Sequence, residues 1–574
     1  MLPNRVQRFS AKARVLFVLT SSIVLVSSVG LADQGQSAVG RNAMVATAHP
    51  LAAEAALDVL REGGNAVDAA VTAGFVIGVV EPDGSGLGGG GGMVIHLQGE
   101  GGSHYVNYYV QASERISELE FSRPADNRSA KAILVPGTVA GLTLALEHFG
   151  TLPLARVVEP AIQLAEGGFA VDQTLAMIIL DNVPLLQKYE STSSLYLPDG
   201  FPLAEGDTLR QPDLARTLRA IAARGRKGFY EGAVAQAIVN GAVAHGGVLT
   251  LQDMEGYEAQ LVEPLIGSYR GYEILSAAIP QSGASIIEGL NILENTDLAA
   301  TGHFATSGQG FHLVAEMMRR VYADRTAFLG DPRFSPIPVH GLTSKEYAAG
   351  RFREIDPDRT KPPEYRKTPV GNPLLYEEEA VVPAEAPEGG DGHTTHLTVV
   401  DGAGNAVSLT QTLGTFFGSG LTVEGVLLNC GMTNFSTRYE VNMPAGGKQP
   451  RSSIAPTIIL KDGTVFATVG SPGATRIVAV VLELIVNLVD FSMSAVEAND
   501  APRFLCQKND DVLSLEGRVS AEAQEDLRRR GHTLQVYGDY DLFFGGAQII
   551  VVDQVTGTLY GSADPRRGGV AAGY

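Results

Sequence analysis

The sequence predicts a globular protein of mixed helices and strands that is made with an export signal. Of its 574 residues, 45% are hydrophobic, which is enough for a large buried core. Helical periodicity and short strand-like runs both occur along the chain. Its first residues are basic and then apolar, as in a secretory signal.

Residues 1–32 are predicted to be a signal peptide. Four cations lie within residues 5–14, residues 15–29 carry no charge, and Gly30-Leu31-Ala32 offers small residues to a signal peptidase. The alternative is an uncleaved anchor, but the apolar stretch barely reaches the roughly 17 residues of a short membrane span. We therefore expect a secreted or periplasmic protein with no membrane partner after signal removal.

Charge and cysteine content exclude several classes of protein. Lys+Arg number 43 and Asp+Glu 63, giving a formal charge of -20 that disfavours nucleic-acid partners. Cys430 and Cys506 are too few for a disulfide framework or a four-cysteine zinc site and can form one bridge at most. The histidines show no metal-ligand spacing, so we expect no metal and no cofactor.

The first elements after the signal are helical. Leu51–Arg61 has a helical pattern that ends at two glycines, and a second helix runs from Ala66 to about Val80. The second helix is apolar on nearly all sides, which predicts burial between layers. Met93–Leu97 is predicted to be a strand, and further helices are predicted near residues 139–148, 154–166 and 310–328.

The glycine-rich segment between the second helix and this strand matches a nucleotide-binding pattern only in letters. Gly84–Gly89 reads GSGLGG, but it follows a helix and precedes a strand, the reverse of the order that a dinucleotide site requires. A glycine strand that lets neighbouring backbones approach closely is the better interpretation.

Composition changes sharply at Pro357–Gly392, which is rich in proline and glutamate and is predicted to be a disordered linker. His396–Val400 and Ala406–Thr410 then flank a run of turn residues, which predicts a hairpin. A linker that ends abruptly at a core hairpin fits either a domain joint or a processing site.

Thr394 and Thr395 lie at this junction. If the peptide bond before Thr394 is cut, the new α-amine lies within reach of that residue's own hydroxyl. An α-amine titrates near about 7.7–8.0, which suits a general base that activates a weak hydroxyl nucleophile. Two threonines that open a strand are also ordinary β-formers, so the pattern alone leaves both interpretations open.

Several long motifs occur in one order: AHPLAAEAALDVLREGGNAVDAAV, GLGGGGGMVIH, THLTVVDGAGNAVSLTQT, SSIAPTII, GSPGATRI and LYGSADPR. With them the sequence resembles the γ-glutamyltranspeptidase family (glutathione hydrolases and related acylases) over nearly the whole mature chain. The resemblance implies an α+β fold, the four-layer αββα sandwich of N-terminal-nucleophile hydrolases. It also implies one proenzyme that cuts itself into a large subunit, 33–393, with a disordered tail near 357–393, and a small catalytic subunit, 394–574, which stay associated.

The resemblance assigns four residues to the chemistry. Thr394 matches the nucleophile, and Thr412 matches a threonine whose hydroxyl supports it. Gly473 and Ala474 fall in the turn whose backbone N–H groups form the family's oxyanion hole. Since the family has glycine where Ala474 stands, we expect the turn to be kept only if φ at Ala474 is negative.

At the substrate-binding positions this sequence matches the family less closely. Ser452 and Ser453 match a serine pair that holds the substrate α-carboxylate. The arginine that pairs with this carboxylate in the family falls at Tyr109 or Val110. Arg451, directly before the serines, is a candidate substitute cation.

Three further departures affect the acyl group. Gly414 replaces an asparagine, Gly431 a glutamine, and Asn434 the acid that binds the substrate α-ammonium. Arg115 is a second candidate cation nearby. Hydrogen bonds to charged groups contribute about 1.5–3 kcal/mol each, so the loss of these partners should weaken selectivity for a glutamyl group. The pocket should then also accept an acyl group without the ammonium, such as glutaryl.

The sequence therefore predicts an exported amide hydrolase or acyl-transferase that cleaves γ-glutamyl amides such as glutathione through an acyl-enzyme on Thr394. Its partners would be a small-molecule amide and water or an amine acceptor. One alternative is a glutaryl-type, cephalosporin-acylase-like enzyme with weak γ-glutamyl activity. Another is a non-catalytic extracellular binding protein that keeps the fold, which need not cut itself.

Overall fold

Two antiparallel sheets form the centre of the molecule in the computed structural model, which describes residues 33–361, 368–377, 393–507 and 512–574. The predicted signal peptide, 1–32, lies outside the described residues. No helix in the described part of the chain combines the length and the apolar character of a bilayer span.

The first sheet, here called the nucleophile sheet, has eight strands. In spatial order they are Asp33–Gly35, Val570–Gly573, Ala43–Thr47, His393–Asp401, Ala406–Gly414, Gly90–Leu97, Gly102–Tyr108 and Gln260–Val262. The predicted hairpin is confirmed at its centre, with Leu397 opposite Leu409.

The second sheet has seven strands. In spatial order they are Ser37–Gly40, Leu559–Ala563, Gln548–Val552, Thr464–Gly470, Thr457–Lys461, Tyr272–Ser276 and Leu265–Tyr269. In the described part of the chain, three small sheets lie outside the two large ones: Phe169–Ala170 with Thr208–Leu209, Thr422–Val423 with Val426–Leu427, and Phe504–Leu505 with Val512–Glu516 and Thr533–Tyr537.

The two large sheets pack face to face, and alternation along each strand explains how. In the strand Ala43–Thr47, Met44 and Ala46 join an apolar cluster with Ile458 and Ile550 of the second sheet. Val45, which points the other way, belongs to the core under the first helix layer. Each sheet therefore buries one face against the other sheet and one against helices.

Helices cover both outer faces. Those over the nucleophile sheet are Pro50–Arg61, Ala66–Val80, Thr138–Phe149, Leu154–Gly167, Gln173–Asp181, Val183–Leu186, Glu190–Tyr196, Pro212–Arg224, Lys227–Tyr230, Ala233–Ala244 and Leu251–Gly256. Those on the side of the second sheet are Gly283–Leu293, Leu298–Thr301, Gly308–Phe328, Val339–Thr343, Lys345–Arg353, Ile477–Val489, Ala495–Asp500 and Ala521–Arg529. The predicted four-layer αββα sandwich is confirmed.

Local patterns explain two elements next to the site. Asn65 and Asp68 form a capping box that starts the helix Ala66–Val80, and every residue of this helix is buried, as its apolar pattern predicts. The strand predicted at Met93–Leu97 is confirmed and begins earlier, at Gly90, whereas the interpretation of Gly84–Gly89 as a strand is wrong, because these residues form a turn with a single bridge from Gly88 to Leu428. A Cβ at Gly91 would lie 2.4 Å from the carbonyl oxygen of Thr410, and one at Gly92 would overlap the ring of Tyr105.

The predicted linker is only partly described, and each described part is hydrogen-bonded to the rest of the chain. Thr360 is buried and donates to Glu316 Oε1 at 2.7 Å, while the Gly371 N–H donates to Asp324 Oδ1 at 2.7 Å. The prediction of disorder is therefore wrong for 357–361 and 368–377, because the helix Gly308–Phe328 supplies polar partners that composition does not reveal. Residues 362–367 and 378–392 lie outside the described residues.

Candidate active site

Thr394 lies near the start of a central strand of the nucleophile sheet and is buried. The ladder has an irregularity between His393 and Thr395, a kind of bulge that re-aims side chains beside active sites. Further along the strand, Leu397 belongs to the core under the helices, whereas Val400 belongs to the core between the sheets. By this alternation the Thr394 side chain faces the second sheet.

The predicted pairing of the two threonines is present. Thr394 Oγ1 donates to Thr412 Oγ1 at 3.2 Å, and Thr412 Oγ1 accepts from the Gly414 N–H at 2.8 Å. Both threonines lie on the same face of adjacent strands. The second hydroxyl is thus fixed by the backbone beside the candidate nucleophile.

The predicted oxyanion turn follows the strand Thr464–Gly470 of the second sheet. Gly473 has a φ of 133°, and Ala474 has a φ of 54°. The condition of a negative φ at Ala474 is not met, because the turn keeps the left-handed conformation that glycine adopts freely. Alanine adopts it at a cost of roughly 1–2 kcal/mol, and its N–H remains part of the turn.

A buried charged cluster lies behind the candidate nucleophile, Thr394. Thr395 Oγ1 donates to Glu81, and Arg567 Nη1 donates to the Thr394 carbonyl oxygen at 3.3 Å. Burial and the charge of Asp83 raise the pKa of Glu81 to about 8, and burial raises that of Asp83 to about 7. Burial lowers the pKa of Arg567 to about 10. Sequence reasoning missed this cluster because its members are far apart in the chain.

A cavity of about 260 Å³ opens in front of the two threonines. Nine predicted site positions line it: Tyr109, Thr394, Thr412, Gly414, Asn434, Arg451, Ser452, Ser453 and Ala474. Among those outside the wall, Gly473 lies directly before a lining residue, and Gly431 is buried.

Of the two positions where the family's arginine was expected, Tyr109 lines the cavity and Val110 does not. The Tyr109 hydroxyl accepts from Asn434 Nδ2 at 2.7 Å and is also hydrogen-bonded to Ser452. Burial raises the pKa of Tyr109 to about 12, so it is a neutral phenol. This end of the cavity, here called the acyl end, therefore holds a neutral Tyr–Asn pair where the family resemblance predicts a cation and an anion.

Packing accounts for the two glycines that replace larger family residues. A Cβ at Gly431 would lie 2.6 Å from Val110 Cγ2, so Val110 fills the space of the missing side chain. A Cβ at Gly414 would lie 2.7 Å from Cys430 Sγ, at a φ of 103°. Cys430 and Cys506 are both buried and not disulfide-bonded.

The two cations proposed as substitutes have other partners. Arg451 Nη1 donates to the carbonyl oxygens of Arg325 and Thr326, at 3.2 and 2.7 Å, which ties it to the end of a helix. Arg115 is exposed, pairs with Glu118 and is not among the residues that line the cavity.

Arg325 was not predicted and is the cation at the acyl end. It is buried, lines the cavity, and donates from Nη2 to Ser453 Oγ at 2.8 Å and from Nε to Ser282 Oγ at 2.9 Å. Burial lowers its pKa to about 10, so it stays charged at neutral pH. The YADR sequence around it reads as part of a helix, and nothing in the helical pattern indicates that its side chain reaches the serine pair.

Arg123 and Arg128 also line the cavity. Together with Arg325 and Arg451 they give the wall four arginines, and among the described residues it contains neither aspartate nor glutamate. The site therefore suits an anionic substrate.

One cluster has the composition of a metal site, although the histidine spacing predicts none. Ligand atoms of His312, Glu316 and His532 lie within 4.8 Å of one another. His312 is hydrogen-bonded to His532 at 2.8 Å and to the Asp356 carbonyl oxygen, and Glu316 pairs with Arg320. These contacts show that the cluster is a buried polar network, and the hydrogen bond to Asp356 ties it to the segment after residue 355.

The fold and site define a class. A four-layer αββα sandwich with a threonine near the start of a central strand, facing a turn of the second sheet, is an N-terminal-nucleophile hydrolase fold. The sequence model described as Gamma-glutamyltranspeptidase matches residues 52–574, and the chain belongs to the γ-glutamyltranspeptidase family.

Relatives named glutathione hydrolase and relatives named acylase are about equally similar to this chain. It is 36% identical over 557 residues to a glutathione hydrolase proenzyme of Escherichia coli (strain K12), covering 93% of this chain and 92% of the relative. It is 37% identical over 514 residues to an acylase ACY 1 proenzyme of Pseudomonas sp. (strain V22), covering 86% and 88%. A cephalosporin acylase structure from Bacillus halodurans superposes with a TM-score of 0.83 at 28% identity, covering 97% and 99%.

Proposed function

We propose that this protein is an exported, self-processing amide hydrolase and acyl-transferase in which Thr394 is the nucleophile. The observation that carries the proposal is the pair of hydrogen-bonded threonines at the wall of an arginine-rich cavity. The proenzyme names of the relatives support processing, and both glutathione hydrolase and acylase names support amide cleavage.

Self-processing would use the same hydroxyl as turnover. Thr394 Oγ1 attacks the carbonyl carbon of His393, the C–N bond to Thr394 breaks, and the nitrogen takes up a proton. Water then hydrolyses the resulting ester. This leaves a carboxylate on His393 and an α-amine on Thr394, which becomes the general base for the next reaction.

In turnover, Thr394 Oγ1 attacks the amide carbonyl of the substrate while the α-amine accepts its proton and passes it to the leaving amine. The N–H groups of Gly473 and Ala474 stabilise the oxyanion. Thr412 orients the hydroxyl. Water or an amine then attacks the acyl ester, so that hydrolysis and transfer share one intermediate.

The acyl group we propose is γ-glutamyl, bound through its α-carboxylate. Ser452 and Ser453 would hold this carboxylate, with Arg325 supplying the charge that the family's missing arginine would give. Arg325 already contacts Ser453 at 2.8 Å, so a carboxylate on the serine pair would lie next to a guanidinium. Selectivity for the α-ammonium should be weak, because Asn434 carries no charge.

The second candidate is a glutaryl-type acylase with weak γ-glutamyl activity. The observation that favours it is the absence of any aspartate or glutamate among the described residues of the cavity wall. An ammonium buried among arginines without a counter-ion is unfavourable, whereas a glutaryl group brings only the carboxylate that these arginines attract.

Two p-nitroanilides test these proposals on the purified, processed protein. We expect hydrolysis of both γ-glutamyl- and glutaryl-p-nitroanilide, with a smaller penalty for the missing amino group than a charge-selective glutamyl site would impose. A strong preference for the γ-glutamyl compound would exclude the glutaryl candidate. Failure to hydrolyse either anilide would overturn the proposed function and support the non-catalytic alternative.

Export is tested separately. We expect the large subunit to begin at residue 33 and to be found outside the cytoplasm after cell fractionation, since residues 1–32 have the order of a signal peptide. Intact protein with its original N-terminus in the cytosol would contradict this part of the proposal.

A further inference from the structure

We propose that Glu81 is a positioning residue that holds Thr394 in place once Thr394 has become the start of a separate chain. It acts through the hydroxyl of Thr395, while Arg567 holds the Thr394 carbonyl oxygen. The inference rests on the proposed cleavage before Thr394. It adds a role in turnover for three residues that are not among those lining the cavity.

Cleavage before Thr394 would remove part of the support of that residue. In the uncut chain His393 pairs with Gly414 in the strand ladder, whereas Thr394 falls at the irregularity between His393 and Thr395. The strand on the other side pairs only from Leu397 onward. Chain ends are poorly ordered unless other contacts tie them down. A nucleophile at a chain end therefore depends on contacts made by its own backbone and by the residue that follows it.

Glu81 makes such a contact from the helix layer. It directly follows the buried helix Ala66–Val80, and its carboxyl group accepts a hydrogen bond from Oγ1 of the buried Thr395. Because burial and the charge of Asp83 raise the pKa of Glu81 to about 8, this carboxyl is mostly protonated at neutral pH. The contact is therefore a hydrogen bond that an uncharged amide can replace.

The turn after Glu81 also supports the partner strand. The Gly84 N–H donates to the Glu81 carbonyl oxygen at 3.2 Å, and the Gly84 carbonyl oxygen accepts from the Leu413 N–H at 3.2 Å. Leu413 directly follows Thr412, the second threonine of the site. One helix end is thus bonded to both strands that carry the threonine pair.

Arg567 holds the backbone of Thr394 itself. It is buried, and its Nη1 donates to the Thr394 carbonyl oxygen at 3.3 Å. A Cβ at Gly546 would lie 2.4 Å from Arg567 Cδ, so the arginine stem packs on Gly546. The Gly546 N–H donates at 3.3 Å to Oγ of Ser471, directly before the oxyanion turn. Arg567 therefore connects the candidate nucleophile to the segment that supports this turn.

Thr395→Val tests the contact because it keeps the shape of the side chain and removes the donor to Glu81. We expect self-cleavage to be retained, since His393 still holds Thr394 in the uncut chain. The kcat for the anilides should fall at least about tenfold, with KM changed less than about twofold, because the nucleophile is misplaced and the cavity wall is not.

Two controls accompany Thr395→Val. Thr395→Ser keeps the hydroxyl and should restore most of kcat, and Thr398→Val removes a buried hydroxyl elsewhere on the strand and should keep wild-type kcat. Melting temperature reports folding. A wild-type kcat in Thr395→Val, or self-cleavage that fails together with turnover, would overturn the proposal.

Glu81 variants show whether the two side chains act together. Glu81→Gln keeps an acceptor and should retain kcat within about twofold, whereas Glu81→Met should lose about as much as Thr395→Val. In the Thr395→Val background, Glu81→Met should cause little further loss, because the hydrogen bond is already absent. Losses that multiply in the double variant would overturn a role through the hydroxyl. If Glu81→Met does not fold, the Thr395 variants still decide.

A chemical probe of the chain end needs no turnover. Periodate cleaves the 1,2-amino alcohol of an N-terminal threonine and spares threonines within a chain. We expect it to oxidise the small subunit of Thr395→Val faster than that of wild type or Thr395→Ser. Equal rates would overturn the inference even if the anilides are hydrolysed, and faster oxidation would support it even if neither anilide is cleaved. A protein that is not cut before Thr394 would overturn the proposed function and this inference with it.

Discussion

The nucleophile end and the acyl end of the cavity are built in different ways. At the nucleophile end, Thr394 and Thr412 are placed by adjacent strands, and the contacts that hold them include the Gly414 N–H and the Thr394 carbonyl oxygen. At the acyl end, Tyr109 and Asn434 meet through side chains that come from segments outside the strands.

This difference explains which positions match the family and which depart from it. Strand register and backbone hydrogen bonds fix the positions of Thr394 and Thr412, so a substitution that moved either residue would disturb the sheet itself. The acyl end depends on side-chain identity, and a Tyr–Asn hydrogen bond can replace an Arg–acid arrangement without moving the strands. Specificity can therefore change while the reaction class is retained.

The largest effect is expected at the nucleophile end. Thr394→Ala should leave one uncut chain and lower hydrolysis at least about a thousandfold, because both processing and turnover need its hydroxyl. Thr398→Ala removes a buried hydroxyl from the same strand face and is the control that should still be processed. Gel electrophoresis and an anilide assay measure both effects. Normal processing of Thr394→Ala would show that the chemistry lies elsewhere.

The next largest effect is expected for the cation of the acyl end. Arg325→Met should lower kcat/KM for glutaryl-p-nitroanilide about 10- to 100-fold more than for butyryl-p-nitroanilide, which lacks the carboxylate. Arg325→Lys should restore part of the difference. Melting temperature and self-cleavage report whether each variant folds. An equal loss for both anilides would mean that Arg325 supports the fold and not the carboxylate.

A smaller effect tests the missing acid. Asn434→Asp should raise kcat/KM for the γ-glutamyl anilide relative to the glutaryl one about five- to thirtyfold. This ratio corresponds to the roughly 1–2 kcal/mol that one charge-assisted contact contributes. Asn127→Asp also adds a carboxylate to the cavity wall, but not in the Tyr109–Asn434 hydrogen bond, and should give no such gain. A wild type that strongly prefers γ-glutamyl and an Asn434→Asp variant without a gain would show that other residues bind the ammonium.

The smallest expected effect concerns the cluster behind the nucleophile. Because burial raises the pKa of Glu81 to about 8 from an ordinary value of 4.5, its protonated form stabilises the native state. This contribution is complete below about pH 4.5 and is lost as pH rises through 8. Glu81→Gln keeps an acceptor for Thr395, so its melting temperature should fall less between pH 5 and 8 than that of wild type. An identical fall in both proteins would contradict the buried, protonated carboxyl.

Sequence reasoning succeeded where the signal is local or repeats along an element. The capping residue Asn65, the apolar pattern of Ala66–Val80 and the hairpin around Asp401–Asn405 each determine their own structure. The four-layer fold came from the family resemblance, since local patterns do not show how layers stack.

Contacts between distant segments could not be predicted in the same way. Arg325 reaches Ser453 across 128 positions, and Thr395 reaches Glu81 across 314. Arg451 lines the cavity, as its place before the serines suggests, but its Nη1 donates to carbonyl oxygens at a helix end, which the sequence does not reveal. At Ala474 the sequence leaves φ undetermined, because alanine favours one conformation and the surrounding turn requires another.

The most direct test of the account is the N-terminal sequence of the small subunit. Cleavage between His393 and Thr394 should give chains of about 38 and about 19 kDa, scaled by length from 60.4 kDa for 574 residues, with the smaller beginning Thr-Thr-His. That result would show that cleavage frees the α-amine of Thr394, the residue whose hydroxyl is the proposed nucleophile. A small chain that begins at any other residue, or a protein that stays whole, would contradict the assignment of Thr394 as the nucleophile.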